Sequence, residues 1–181
     1  MTGTGRLRGR IVELAALRDE DSTTLYEWIN DRDLVTQSAP FREVSLAEHD
    51  EWFDSVQGRQ DMCIFGIRLV DGDRLVGSCQ LHSIHAVHRS AELQIRIGAR
   101  DARERGVGTE ATYLLLQYGF QELDLHRIYL YVFESNEPAR RLYQRTGFRT
   151  EGVLKEAARI DDSWRNVLVM AILRSEYRAD Q

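Results

Sequence analysis

The stretch that most restricts the fold runs from 91 to 122, "AELQIRIGARDARERGVGTEATYLLLQYGFQE". It opens as a period-two strand over 91–98, with Leu93, Ile95 and Ile97 alternating with polar residues. It passes through a turn holding Gly106 and Gly108. It then becomes a helix over 107–122, with Ala111, Leu115 and Tyr118 along one face. A strand followed by a glycine turn and an amphipathic helix is the building unit of a layered α/β domain.

The remaining patterns extend this unit. Residues 6–14 read as a strand and 21–30, "DSTTLYEWIN", as a helix with Asp or Ser near its start. Residues 31–44 read as irregular. Ser45 and Glu48 stand at capping-box spacing, so a second helix begins there. "MCIFGIRLV", "DGDR" and "LVGSCQLHSI" read as a hairpin. "HRIYLYVF" is the next strand, and "NEPARRLYQRT" is a short helix ended by Gly147. Strands at 148–156 and 164–173 flank the turn "IDDS". The order β-α-α-β-β-β-α-β-α-β-β predicts a mixed, mostly antiparallel twisted sheet of about seven strands with helices on both faces. With 181 residues and no linker or repeat, residues 1–181 read as a single domain.

Composition narrows the function. The net charge of −5 argues against broad nucleic-acid binding. No apolar run approaches the roughly 18–20 residues of a membrane span, and "MTGTGRLRGR" lacks the apolar centre of a signal peptide. Two cysteines are too few for a disulfide framework, so the expected location is cytoplasmic. Twenty-three of the 24 basic residues are arginine, which masks any single functional arginine.

The first N–H groups of a helix lack intrahelical acceptors and carry the positive end of its dipole. The turn "RERGVGT" therefore suits an anion, with Gly106 and Gly108 allowing close backbone approach and Arg103 and Arg105 at the rim. An ordinary glycine turn with solvated arginines is the competing reading. A Walker loop needs a Gly-Lys-Ser/Thr that is absent. Gly106-x-Gly108-x-x-Ala111 fits the dinucleotide fingerprint literally, but polar residues separate it from the strand, and Glu134, after the next strand, stands further away than the fingerprint asks. The pyrophosphate of coenzyme A is the third reading.

Here the motifs acquire a family likeness. Arg103-x-x-Gly106-x-Gly108, between a strand and a helix, resembles the Gln/Arg-x-x-Gly-x-Gly/Ala signature of the GNAT superfamily of N-acetyltransferases. "SNEPARRLYQRTGF" resembles that superfamily's second landmark, an Asn after a strand, a helix carrying Tyr, then Gly-Phe. The tail "EGVLKEAARIDDSWRNVLVMAIL" resembles the branch of ribosomal-protein alanine and spermidine N-acetyltransferases. The likeness covers essentially the whole chain and implies a single GNAT-like domain using acetyl-CoA as co-substrate, with no metal.

It further implies that backbone amides around Glu104, Arg105, Gly106, Val107, Gly108 and Thr109 hold the pyrophosphate. The strand ending near Ile97 is expected to splay from its neighbour, so that Ile95 and Ile97 meet the pantetheine arm. Arg103, Asn136 and Arg140 complete the expected cofactor set. Tyr143, seven residues after Asn136 and so on the same helix face, is the family's usual place for a general acid. Glu92, eleven residues before Arg103, is either a general base, as in some members, or an exposed strand-end carboxylate. A base at the position of Tyr131 is absent.

Acetyl transfer needs these groups because an alkylamine of pKa about 10.4 is protonated at pH 7, placing the free amine about 4–5 kcal/mol uphill. His82, His85 and His88 lie on a strand and its turn, where steps of three alternate faces, so they do not read as a metal site. The helix 1–helix 2 region walls the acceptor site in this fold, which nominates Trp28, Phe41 and Glu43. The acceptor is a small-molecule amine, such as a polyamine or amino sugar, or a protein N-terminus. A polyamine needs several pocket carboxylates, and Glu27, Asp31, Asp33 and Glu43 are near in sequence. A CoA-binding module without turnover is the alternative. No nucleic-acid or membrane partner is expected; a homodimer is, because the C-terminal strands leave edges to cover.

Overall fold

The computed structural model describes residues 6–178 apart from Gln57. Residues 1–5, the first half of the N-terminal stretch considered above as a signal peptide, lie outside the described residues, as do 179–181.

The strand expected over 6–14 is a pair, β1 (Leu7–Arg8) and β2 (Val12–Ala15), folded back on itself. The reason lies far away in sequence. The Glu110 carboxylate accepts the main-chain N–H groups of Arg10, Ile11 and Val12 at 2.9, 2.7 and 2.7 Å and bends the chain there. Helix α1 (Asp21–Ile29) follows. The segment read as irregular contains one turn of helix, α2 (Arg32–Val35), because the Asp31 side chain caps Leu34 N. Helix α3 (Leu46–Val56) begins at the expected capping box: Ser45 Oγ accepts Glu48 N, and Glu48 Oε2 accepts Ser45 N.

Strands β3 (Cys63–Leu69) and β4 (Leu75–His85) form the expected hairpin, with Gly72 at φ 82° in its turn. Strand β5 (Ser90–Ile97) leads through a short 3-10 turn to α4 (Val107–Gln117). The helix expected to reach 122 widens to π geometry at Tyr118–Glu122. Gly119 lies against Ile128 and Leu81, where a Cβ would come within 2.6 and 3.0 Å of their side chains. Strand β6 (Arg127–Phe133), helix α5 (Glu137–Arg145), and strands β7 (Arg149–Ile160) and β8 (Ser163–Leu173) complete the fold. β7 runs on to Ile160, so its hairpin turns at Asp161 and Asp162.

One eight-stranded sheet results, in the order β1-β2-β3-β4-β5-β6-β8-β7, one strand more than expected because of the β1–β2 fold-back. Among the described strands only β5 and β6 pair in parallel. Helices cover both faces. Val107, Ala111, Leu114 and Leu115 of α4 enter the main core with Phe65, Ile67 and Leu81. Ile64, one residue off the Phe65 face, joins Leu25 and Phe53 of α1 and α3 on the other. There a buried ion pair anchors α1: Arg68 reaches both Asp21 oxygens at 2.5 and 2.7 Å. β7 is a sheet edge, with Val153 and Leu154 exposed. No helix among the described residues is long and apolar enough to cross a membrane.

Candidate active site

β5 and β6 pair only over Ser90–Glu92 and Arg127–Tyr129. Beyond that the strands diverge: β5 stays with β4 as far as Ile97, and β6 stays with β8 as far as Phe133. This opens a fissure in the middle of the sheet, as the family likeness implies, and frees β5 backbone groups along one side.

Two adjoining cavities of about 490 and 600 Å³ meet at the fissure, sharing Ser38, Ile95, Arg96, Tyr131 and Tyr143 as walls. The larger ends at the start of α4 and is lined by Ile97, Arg103, Glu104, Gly106, Gly108, Thr109 and Asn136. Gly106 holds φ 82°, which a glycine adopts without strain, and no side chain caps the helix there. The first helical bond is Glu110 N to Gly106 O, so the amides of Val107, Gly108 and Thr109 have no recorded acceptor among the described residues. Three unbonded N–H groups at the positive end of an eleven-residue helix fit a pyrophosphate.

Other expected contacts are placed differently. Arg103 is turned back, its guanidinium bonded to the carbonyls of Ile97 and Gly98 at 3.1 and 3.2 Å, so it braces the loop. Asn136 accepts Ala139 N and donates to Gln37 O, tying α5 to the chain after α2. Arg140 lines neither cavity and donates to Glu134 O. Arg141 and Arg145, one helical turn apart, line the cofactor half instead. Arg105 is exposed and lines neither cavity, and the Val107 side chain is core, leaving only its amide for the anion.

The smaller cavity lies over the polar face of β4 and β5. Here His82 stands opposite Glu92, Gln80 opposite Gln94, and Ser78 opposite Arg96. Gln80 donates to Gln94 at 2.8 Å, and His82 Nε2 lies 3.5 Å from Glu92 Oε1. Glu92 is therefore a largely buried carboxylate facing the cavity, its side chain 16% exposed, and not a solvated strand end. Tyr143 is buried where the two cavities meet, its ring against Phe148, and burial pushes its phenol well above the ordinary value.

Trp28 lines this half and lies flat on Gly98, where a Cβ would fall 2.0 Å from the indole. Phe41 and Glu43 line neither cavity. In the stretch before α3, alternate residues Arg42 and Val44 line the smaller cavity. Phe41 instead packs under the Arg32 guanidinium and Glu43 is exposed. Arg42 binds Glu48, whose carboxyl is held down at about 2, first by Ser45 N–H and then by this arginine. His85 and His88 stack on each other at 4.2 Å, apart from the cavity walls.

A split sheet with an unsatisfied helix start at one end and a buried tyrosine at the junction defines an acyl-CoA-dependent transferase architecture. The chain belongs to the GNAT acetyltransferase family, whose domain profile matches residues 12–149. Spermidine N(1)-acetyltransferase of Escherichia coli is 37% identical over 110 residues, 61% of this chain and 58% of that protein. Thus the chain spans less than two thirds of that relative. The uncharacterized N-acetyltransferase p20 of Bacillus licheniformis is 28% identical over 96% of both chains. The crystal structure of spermidine N-acetyltransferase from Vibrio cholerae with CoA and spermine superposes with TM-score 0.84 at 31% identity, covering 92% of this chain and 97% of that one.

Proposed function

We propose that this chain transfers the acetyl group of acetyl-CoA to a primary amine on a small molecule. The observation that carries the reading is the β5–β6 fissure, which runs from the unbonded α4 amides to the junction where Tyr143 and the Glu92 cavity meet. A relative solved with CoA supports the choice of co-substrate.

Bound acetyl-CoA supplies a thioester carbonyl that an amine nitrogen attacks, giving an acetamide and the free thiol. This chain's residues bind, orient and move protons. The amides of Val107, Gly108 and Thr109 hold the diphosphate, and Arg141 and Arg145 add positive charge at the mouth. Free β5 backbone groups near Ile95 and Ile97 align the pantetheine arm. Glu92 takes the proton from the incoming ammonium, with His82 beside it, and Tyr143 gives a proton to the departing sulfur. Positioned groups of this kind contribute about 10²–10⁴-fold. The edge strand β7, with Val153 and Leu154 exposed, supports a homodimer.

The test is thiol release from acetyl-CoA across a panel of amines, beside calorimetric titration of acetyl-CoA. Amine-dependent release is expected. Tight CoA binding with no release from any amine would leave a binding module in its place.

A further inference from the structure

Arg96 projects from β5 into the wall shared by the two cavities, on the same face as Glu92 and Gln94. Among the described residues it has no recorded carboxylate or carbonyl partner. Every other buried or half-buried arginine among them has one. Arg18 holds Asp73, Arg68 holds Asp21, Arg127 holds Glu151, and Arg103 and Arg140 hold main-chain carbonyls. Burial holds the Arg96 guanidinium below the ordinary arginine value, so this cation has lost water without gaining an anion. A desolvated arginine facing open volume lacks its counter-charge, and a bound ligand is the natural source of one.

The rest of the acceptor half points the same way. Its walls carry two carboxylates, Glu48 and Glu92, and Arg42 already neutralises Glu48. None of the four carboxylates near in sequence lines it: Asp31 and Asp33 face Arg100, and Glu27 and Glu43 are exposed. A polyamine would bring further ammonium groups into a cavity offering one free carboxylate and one unpaired cation. From Arg96 and this lack of carboxylates we infer that the acceptor is an amine that also carries an anionic oxygen group. Its nitrogen lies toward Glu92 and Tyr143, and its anion on Arg96. The inference rests on the acetyl-transfer reading and sets this chain apart from relatives named for spermidine. Cα atoms four strand positions apart are about 13 Å distant, and both side chains reach inward, so a short bifunctional molecule spans the gap.

The experiment compares spermidine with glycine, 4-aminobutanoate, 6-aminohexanoate and O-phosphoethanolamine by thiol release. The carboxylate and phosphate arms separate the two sources of oxyanion. At least one anionic amine is expected to exceed spermidine in kcat/KM by about tenfold or more. Arg96→Gln is expected to raise KM for that amine by about tenfold to a hundredfold, the cost of a lost charge-assisted bond. Arg96→Lys recovers part of it, and acetyl-CoA affinity moves little in either. Spermidine turned over as well as every anionic amine overturns the inference, as does an Arg96→Gln effect confined to acetyl-CoA binding. If no amine is acetylated, the transfer reading fails by itself. Calorimetry of 4-aminobutanoate and of O-phosphoethanolamine with the CoA-loaded protein then decides. Binding of either that Arg96→Gln abolishes upholds the inference, and its absence overturns it.

Discussion

Replacing Tyr143 by phenylalanine removes one oxygen from the junction of the two cavities and leaves the ring in place. The residue is 7% exposed and packs on Phe148 at 5.7 Å between ring centroids, contacts the phenylalanine keeps. Because burial raises the phenol's pKa, the hydroxyl stays protonated at any ordinary assay pH and can serve as a donor. Loss of a positioned general acid costs about 10²–10⁴-fold, or roughly 3–5 kcal/mol on the barrier. Steady-state thiol release at saturating amine and acetyl-CoA should show that fall in kcat, while calorimetry finds acetyl-CoA affinity within about twofold. Linkage gives a second readout. The unfolded chain ionises this tyrosine above about pH 10 and the folded chain resists, so it contributes a loss of stability as pH rises past that point. The phenylalanine variant lacks that contribution. A kcat within about threefold of the parent, with both substrates saturating, would refute the assignment of Tyr143 as the acid.

Gly108→Val should weaken acetyl-CoA binding by tenfold or more in calorimetry, because its two γ-methyls, beyond a Cβ already 2.8 Å from Leu142 Cδ1, fill space beside the amides that face the anion; equal affinity contradicts this. Gly108→Ala, which meets only the flexible end of Leu142, should be far milder. Asp21→Ala leaves Arg68 buried without its partner and should cost about 3–5 kcal/mol. At roughly 2–4 °C per kcal/mol for a chain of this size, thermal melting should drop by about 6–20 °C, with Asp21→Leu/Arg68→Met recovering much of it. Cys63 and Cys79 are free and buried, and burial pushes the Cys63 thiol up to about 11, so neither should react with iodoacetamide at pH 8 until the protein unfolds. Prompt labelling in the native state, read by mass spectrometry, would count against the described core.

The parts that could be read from residues alone are those governed by short-range rules. Strand and helix periods, the Ser45–Glu48 box, and the glycine turn before α4 depend on neighbours within a few positions. The β1–β2 fold-back could not be read this way, because its cause is Glu110, about a hundred residues on. The acceptor wall failed differently. Residues 41–45 have no repeating pattern, so nothing indicated that Arg42 and Val44 line the cavity while Phe41 and Glu43 do not. On α5, Arg140 and Arg141 are adjacent, and a one-residue difference in helical phase decides which meets the cavity. Arg96 was hidden among 23 arginines. Its signal was present nonetheless, in the polar alternation Glu92-x-Gln94-x-Arg96 of a strand whose other side is apolar.

The carboxylate of Glu110 joins two distant parts of the chain mechanically. It lies in the first turn of α4, beside the amides that face the cofactor half, and it clasps three consecutive amides of the N-terminal fold-back. Tags, deletions or fusions near residue 10 therefore pull on the end of the helix where CoA is expected to sit. An altered affinity for the nucleotide in such a protein would report leverage through that clasp and not damage to the pocket itself.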